Sequence, residues 1–288
     1  MATEFTTCFR PTPEHKQALQ NYNRSVPPNQ QHGVPQEFID IMTIREKVFV
    51  EEQGVPLENE MDDEDAHCWH FLIYVSVGAP KGQSAEVQRG FNAPSDTNSV
   101  LQTPVSSEPA PRRVSASDVQ KRRARATSTA TRAPAGTIRL IPPKYRDPNS
   151  RRKGSEAART SSVSSSGAVI PHPTTDEPYV KLGRLAVLKE FRGMNLSKLI
   201  TNVALQAARQ NAHVMQPRVD TVEEESLRIS GVKPLKPWNG LVYVHAQKDR
   251  TLDLWRKWGF KIDEQMGEWD EEGMMHVGMW KQLDIEQQ

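Results

Sequence analysis

The chain has 288 residues, with 37 basic and 36 acidic side chains and a formal net charge of +1, a length that fits one large domain or two ordinary ones. A balance so near zero argues against a dedicated nucleic-acid binder. No apolar run approaches a membrane span, and Met1-Ala2-Thr3-Glu4 does not open a secretory signal. Two cysteines, Cys8 and Cys68, can build neither a disulfide scaffold nor a four-thiolate zinc site, so a reduced, cytoplasmic setting is expected.

Charge and aromatic content are segregated. Residues 79–178 hold 16 Lys/Arg against 8 Asp/Glu and only two aromatics, Phe91 and Tyr145, whereas the remainder holds 21 against 28 and the other 17 aromatics. A stretch so poor in large apolar groups cannot bury enough surface to offset its ordering entropy. The sequence therefore predicts a single domain over 1–288 with two disordered insertions, a basic one at 79–134 and a second at 146–178. Between them the strand 136–141 (GTIRLI) is retained, ended by Pro142-Pro143. What remains is roughly 200 residues, enough for one compact core.

In chain order, residues 4–10 are β-rich and stop at Pro11, and Thr12-Pro13-Glu14 has the form of a helix start. Phe38, Ile41, Met42, Ile44, Val48 and Phe49 recur at helical spacing up to Gly54. Residues 70–75 (HFLIYV), 182–188 (LGRLAVL) and 241–245 (LVYVH) read as buried strands. Helices are expected at 196–210 and 249–258, and short strands at 260–265 and 274–281. Strands alternating with single helices in the middle imply parallel pairing there, giving an α/β class with a mixed central β-sheet flanked by helices.

The segment from Leu185 to Leu199 carries the most chemistry. A strand ending at Val187 and Leu188 runs through Arg192, Gly193, Met194 and Asn195 into a helix opening at Leu196 and Ser197. Free backbone N–H groups and the helix dipole at such a junction form an anion site suited to a diphosphate, with Arg192 adding charge and Gly193 allowing close approach.

This junction resembles the acyl-CoA signature of the GNAT superfamily, Arg/Gln-x-x-Gly-x-Gly/Ala, over Arg192–Ser197. Asn195 stands at the middle glycine and Ser197 at the last Gly/Ala position. Further segments are similar to the ElaA/YjcF-like subgroup in the same order: residues 48–56, 62–70, 183–187, 245–247, 258–260 and 271–279. The resemblance implies the GNAT (acyl-CoA N-acyltransferase) fold, with acetyl-CoA as co-substrate between the strands 182–188 and 241–245. Leu185, Ala186, Val187, Arg192, Gly193, Met194, Asn195, Leu196 and Ser197 are the expected cofactor-binding residues. The implied reaction is direct transfer of an acetyl group to a primary amine, of a small molecule in the first instance, an amino sugar phosphate being one option.

Such a reaction calls for a base and an acid. Many members of the superfamily place a tyrosine acid where Trp255 stands here, so Tyr243 and His245 on the preceding strand become candidates for that role. His276, near Glu271 and Glu272, is the first candidate for base or substrate orienter. Glu51, Glu52 and Asp62 are expected to bind the substrate as an acidic rim. The run Asp62, Asp63, Glu64, Asp65 and His67 lacks the alternation and central glycine of a calcium loop, so no metal is expected. Asn195, Ser197 and Trp255 leave open an alternative, a non-catalytic acyl-CoA-binding regulatory protein. Arg112-Arg113-Val114-Ser115 and Arg151-Arg152-Lys153-Gly154-Ser155 have the form of basophilic kinase sites, and residues 121–125 that of a nuclear-import patch, which would add a nuclear location.

Overall fold

A computed structural model describes residues 5–10, 12–77, 131–143, 161–163, 169–171, 175, 177–217 and 236–285. Met1–Val75 with Pro134–Gln288 form one compact unit, and Ser76–Ala133 a second. The kinase-like and nuclear-import patterns, and most of both expected insertions, lie outside the described residues.

The first unit is built on a sheet of eight strands. These are β1 (Thr6–Phe9), β2 (Trp69–Val77), β3 (Thr131–Ile141), β6 (Val180–Val187), β7 (Leu241–Gln247), β8 (Lys261–Ile262), β9 (Glu268–Glu271) and β10 (Met274–Gln282). Their order is β1-β2-β3-β6-β7-β10-β8, with β9 on β10. The β6/β7 pair is parallel, while β1/β2, β3/β6 and the pairs of β10 with β7, β8 and β9 are antiparallel. The mixed sheet with a central parallel step is thus present. Two described elements extend beyond the expected ones. Strand β3 starts at Thr131, five residues before Gly136; its ladder with β6 begins only at Gly136↔Val187, so Pro134 removes no hydrogen bond from it. Within the second expected insertion, β4 (Ser161–Val163) and β5 (Val169–Pro171) form an antiparallel pair.

Helix α1 is Pro13–Gln20, α2 is Gln36–Arg45 continuing as a π-helical stretch over Glu46–Glu52, and α3 is the single turn Leu57–Glu60. The long helix α4 (Leu196–Gln210) connects toward β7, and α5 is Leu252–Lys257. In α4, Leu196, Ile200, Ala204, Leu205 and Ala208 fall on one stripe, and all five are buried. They pack with Leu182, Val242, Val244, Ala246, Trp255 and Phe260 on one side of the sheet. The other side buries Leu72, Ala186 and Leu188 against Phe38, Ile41, Met42 and Ile44 of α2. Each buried leucine, isoleucine, valine, methionine or phenylalanine among them contributes about 1.5–3 kcal/mol relative to exposure, so these two layers fix where β6 and β7 lie.

One irregularity sets up the site. Between Thr137↔Ala186 and Arg139↔Gly183 the β3/β6 register shifts, placing Arg184 and Leu185 opposite Ile138. Arg184 adopts φ 52°, a left-handed conformation costly for a side chain with a Cβ. A bulge bends its strand and sharpens the local twist. Here β6 leaves β7: parallel pairing runs through Val180↔Val242, Lys181↔Tyr243 and Leu182↔Val244 and stops, while β7 stays paired to β10 as far as Gln247↔His276.

Candidate active site

Beyond Leu182 the two parallel strands part around a cavity of about 740 Å³, within the range of small-molecule sites. Residues 183–187 of β6 form one wall and His245 and Gln247 of β7 the other. The free edge of β6 can be oriented from its hydrogen bonds. The Leu188 N–H bonds the Ala135 carbonyl toward β3 at 2.9 Å, and successive residues of a strand direct their amides to opposite sides. The Val187 amide and carbonyl therefore face the gap, and the Val187 carbonyl indeed accepts from Arg192 Nε at 2.9 Å.

At the mouth, Gly193 (φ 82°) and Asn195 (φ 57°) both take left-handed backbone, so Asn195 fills a glycine-like position. Asn195 precedes α4 without giving it a side-chain cap. Its carbonyl accepts the Leu199 N–H, which leaves the amides of Leu196, Ser197 and Lys198 without intrahelical partners, at the positive end of a 15-residue helix. Gly193, Asn195, Leu196 and Ser197 line the cavity; Met194 is exposed beside it. Leu185, Ala186 and Val187 line it as well.

Arg192 and Glu52, read separately as a cation for the diphosphate and an acid for the substrate, pair with each other at 2.6 Å. Glu51 is exposed and is not part of the wall. Asp62 is on the wall, but Arg139 holds both of its oxygens, at 2.6 and 2.8 Å. It also caps the turn Asp63–Ala66. Burial opposes ionisation of Asp62, yet the Arg139 charge and hydrogen bonds keep its carboxyl below the usual range. The acidic rim is thus a paired network rather than a free one.

Its centre is fully buried. Arg45 reaches Glu60 at 2.5 Å and Asp65 at 2.7 Å, and Arg139 reaches Asp65 at 2.8 Å. Arg184 donates to the Asn59 and Glu60 carbonyls at 3.1 and 3.2 Å. Three guanidiniums thereby balance three carboxylates, and the strained Arg184 backbone is held in place by its own side chain.

The three candidate catalytic residues separate. Tyr243 is 1% exposed and absent from the wall: its hydroxyl faces Met266 Sδ at 3.3 Å and its ring packs on Trp280 and Tyr179. It is a core residue, because β7 is still paired to β6 at that position and the gap opens only beyond it. His245, two residues on, lines the cavity. Its Nδ1 lies 3.1 Å from Glu271 Oε2. Burial, then the nearby Lys181 charge, push His245 down to about 4. It is therefore neutral near pH 7, donating Nδ1–H to Glu271 and leaving Nε2 as an acceptor with no hydrogen-bond partner among the described residues. His276 also lines the cavity, with Nδ1 bonded to the Met274 carbonyl at 2.8 Å. The Trp269 ring packs against both histidines, 5.0 Å from His245 and 6.2 Å from His276. Glu271 therefore belongs to His245 and not to His276. Burial would raise its carboxyl, but the His245 hydrogen bond and the neighbouring cations hold it well below the usual range.

Sequence reading missed Lys181, Arg184 and Gln247 on the wall, and the Asp65–Arg139 core behind it. The available signal was charge within apolar strands: Lys181 and Arg184 in VKLGRLAV and Arg139 in TIRLI. Two bridges span the cavity rim, Gln247 to Gln53 at 2.9 Å and Asn59 to Glu272 at 3.0 Å. Among the described residues no group of three or more His, Cys, Asp or Glu is placed to hold a metal, and no helix is long and apolar enough to cross a membrane.

No family model and no curated protein sequence matches the chain. Solved structures are similar to it. A protein of Lactobacillus plantarum named as an N-acetyltransferase is 16% identical, covering 87% of this chain and 93% of that one with a TM-score of 0.42. An acyl-CoA N-acyltransferase from Pseudomonas aeruginosa is 16% identical over 96% and 97%, with a TM-score of 0.41. Escherichia coli ElaA is 14% identical over 89% and 96%, with a TM-score of 0.38. At these identities the likeness reaches no individual residue of the site.

Proposed function

We propose that the chain is an N-acyltransferase of the GNAT type that transfers an acetyl group from acetyl-CoA to a primary amine. One observation carries this reading: a bulge parts two parallel strands into a cavity that opens onto an uncapped helix N-terminus. The residues present fit the carrier. The Leu196, Ser197 and Lys198 amides offer donors to a diphosphate, the left-handed Gly193 and Asn195 keep the loop close, and the free Val187 and Leu185 edge offers strand-like hydrogen bonds to the arm. For Arg192 to join them, its pair with Glu52 must exchange, which costs little at an exposed ion pair.

When bound, acetyl-CoA supplies an acyl group already activated as a thioester. The protein does the rest. An amide on the free β6 edge, directed into the gap, stabilises charge developing on the acyl oxygen. His245, neutral and oriented by Glu271, takes the proton of the attacking amine on Nε2. Glu271 positions the ring and stabilises the cation that forms. His276 and Trp269 shape the wall beside it. With Asp62 held by Arg139 and Glu51 off the wall, selection of the amine falls to Glu272, the cavity shape and the Glu52 carboxylate that Arg192 releases. A small-molecule acceptor fits a cavity closed by side-chain bridges better than a protein tail does.

The test has two stages. Calorimetry with acetyl-CoA should show one site of micromolar affinity, lost on reversing the helix mouth with Ser197→Glu. Release of free thiol across an amine panel should then depend on His245. Binding without thiol release from any amine would favour the non-catalytic acyl-CoA-binding regulator, which Trp255, buried on the wall where a proton donor would be useful, supports.

A further inference from the structure

One cation on the cavity wall has no part in that scheme. Lys181 lines the cavity at its closed end, opposite Tyr243 in the last rung but one before β6 and β7 separate. Among the described residues nothing hydrogen-bonds its Nζ, and no carboxylate lies within ion-pair distance. The acids near it are engaged: Glu271 by His245 and Trp269, Asp62 by Arg139. A lysine that only supports structure pairs with an acid or extends its ammonium to water. Lys181 has no such acid, and its half-buried ammonium opens into the cavity.

Its surroundings also favour the free amine. Burial, first, and the Arg139 and Arg184 charges push Lys181 down to about 8, against the opposing pull of Glu271 and Asp62. About a tenth of the side chain is then unprotonated at pH 7, against well under a hundredth for an ordinary lysine. Position completes the argument. A carrier held by its diphosphate at Arg192–Ser197 and laid back along the free edge of β6 carries its acyl end toward the closed end of the cleft, where Lys181 stands.

We propose that Lys181 is a self-acylation site, its Nζ attacking the thioester carbonyl of an acyl-CoA held in the same cavity. This rests on the acyl-CoA reading of the cavity. In the step, the Nζ lone pair forms the C–N bond and the C–S bond breaks. The proton lost from nitrogen passes through His245 Nε2 to the departing sulfur, giving an amide and free CoA thiol. Acetyl-lysine then fills the closed end and removes the Lys181 charge, one of the effects that hold His245 low, so the modified chain has less room for an amine and a more basic His245.

The full chain is incubated with acetyl-CoA without an acceptor, and incorporation is followed by intact mass and peptide mapping. Lys181 should gain one acetyl group at a rate independent of protein concentration, at least about tenfold faster than exposed Lys198 and Lys248, with a pH midpoint near 8 rather than about 10.4. Lys181→Arg should lose that fast phase while still binding acetyl-CoA. A parallel arm uses S-acetyl-N-acetylcysteamine, a thioester with no diphosphate. If acetyl-CoA binds yet neither thioester favours Lys181, self-acylation is overturned and the carrier site stands. If acetyl-CoA does not bind while the small thioester still selects Lys181, the carrier site falls and the reactivity of the lysine stands.

Discussion

The bulge at Arg184 makes a quantitative prediction, because one residue carries both a backbone cost and the side chain that offsets it. The left-handed φ of 52° costs a residue with a Cβ roughly 1–2 kcal/mol relative to glycine. Against it, the guanidinium donates to the Asn59 and Glu60 carbonyls and lies 3.5 Å from Glu60 Oε2. Bonds of this charge-assisted kind are worth about 1.5–3 kcal/mol together at a half-buried site. Arg184→Ala keeps the strain and loses the bonds, and should destabilise by about 2–3 kcal/mol. Glu60 is not orphaned, since Arg45 still holds it. Arg184→Gly loses the same bonds but relieves the strain, and even after the extra entropy of a glycine in the unfolded chain it should be about 1 kcal/mol more stable than the alanine variant. For a core of this size that is a Tm difference of about 2–4 °C. Thermal unfolding of the three proteins under one buffer decides it. An alanine variant as stable as the glycine variant would refute the claim that a strained bulge opens the cleft.

Four further outcomes follow from the buried network, the histidines and one glycine. Asp65→Ala leaves two buried guanidiniums short of a partner and should cost about 3–5 kcal/mol in urea unfolding, while Glu58→Ala on the exposed face of α3 should change little. Burial pushes His70 and His245 down to about 4. The unfolded chain, with histidines near 6.5, then binds more protons between those values, so stability is fully present above about pH 6.5 and falls steadily toward pH 4. A denaturation series across that window that stays flat would contradict the burial of both rings. For catalysis, Glu271→Gln removes the charge that raises His245, so the acid limb of the pH–rate profile should move below pH 4, with kcat falling roughly 10–100-fold and KM little changed. Gly240→Ala should be severely destabilising, by about 2 kcal/mol or more, because its Cβ would collide with the Leu283 carbonyl oxygen at a φ of 98° that side chains rarely adopt.

What the sequence settled is what local chemistry settles. The apolar stripe of Leu196, Ile200, Ala204, Leu205 and Ala208 prescribed α4 to the residue, and the run from Phe38 to Val48 prescribed α2, since helix period and burial are written in one dimension. The strand–loop–helix junction at Val187–Ser197 was equally legible, because a glycine, a left-handed-tolerant asparagine and a helix start are neighbours in the chain. Tertiary structure alone decided which charges are free. Arg192 and Glu52 are 140 positions apart, Arg139 and Asp62 are 77 apart, and only folding shows that each cancels the other. The same holds for Tyr243 and His245. Two residues apart on one strand and facing the same way, they differ because β6 still covers the first and has turned away before the second. That turn comes from a one-residue slip against β3, and a register is a property of two strands together, set by packing on both faces of the sheet, which neither strand's sequence contains by itself.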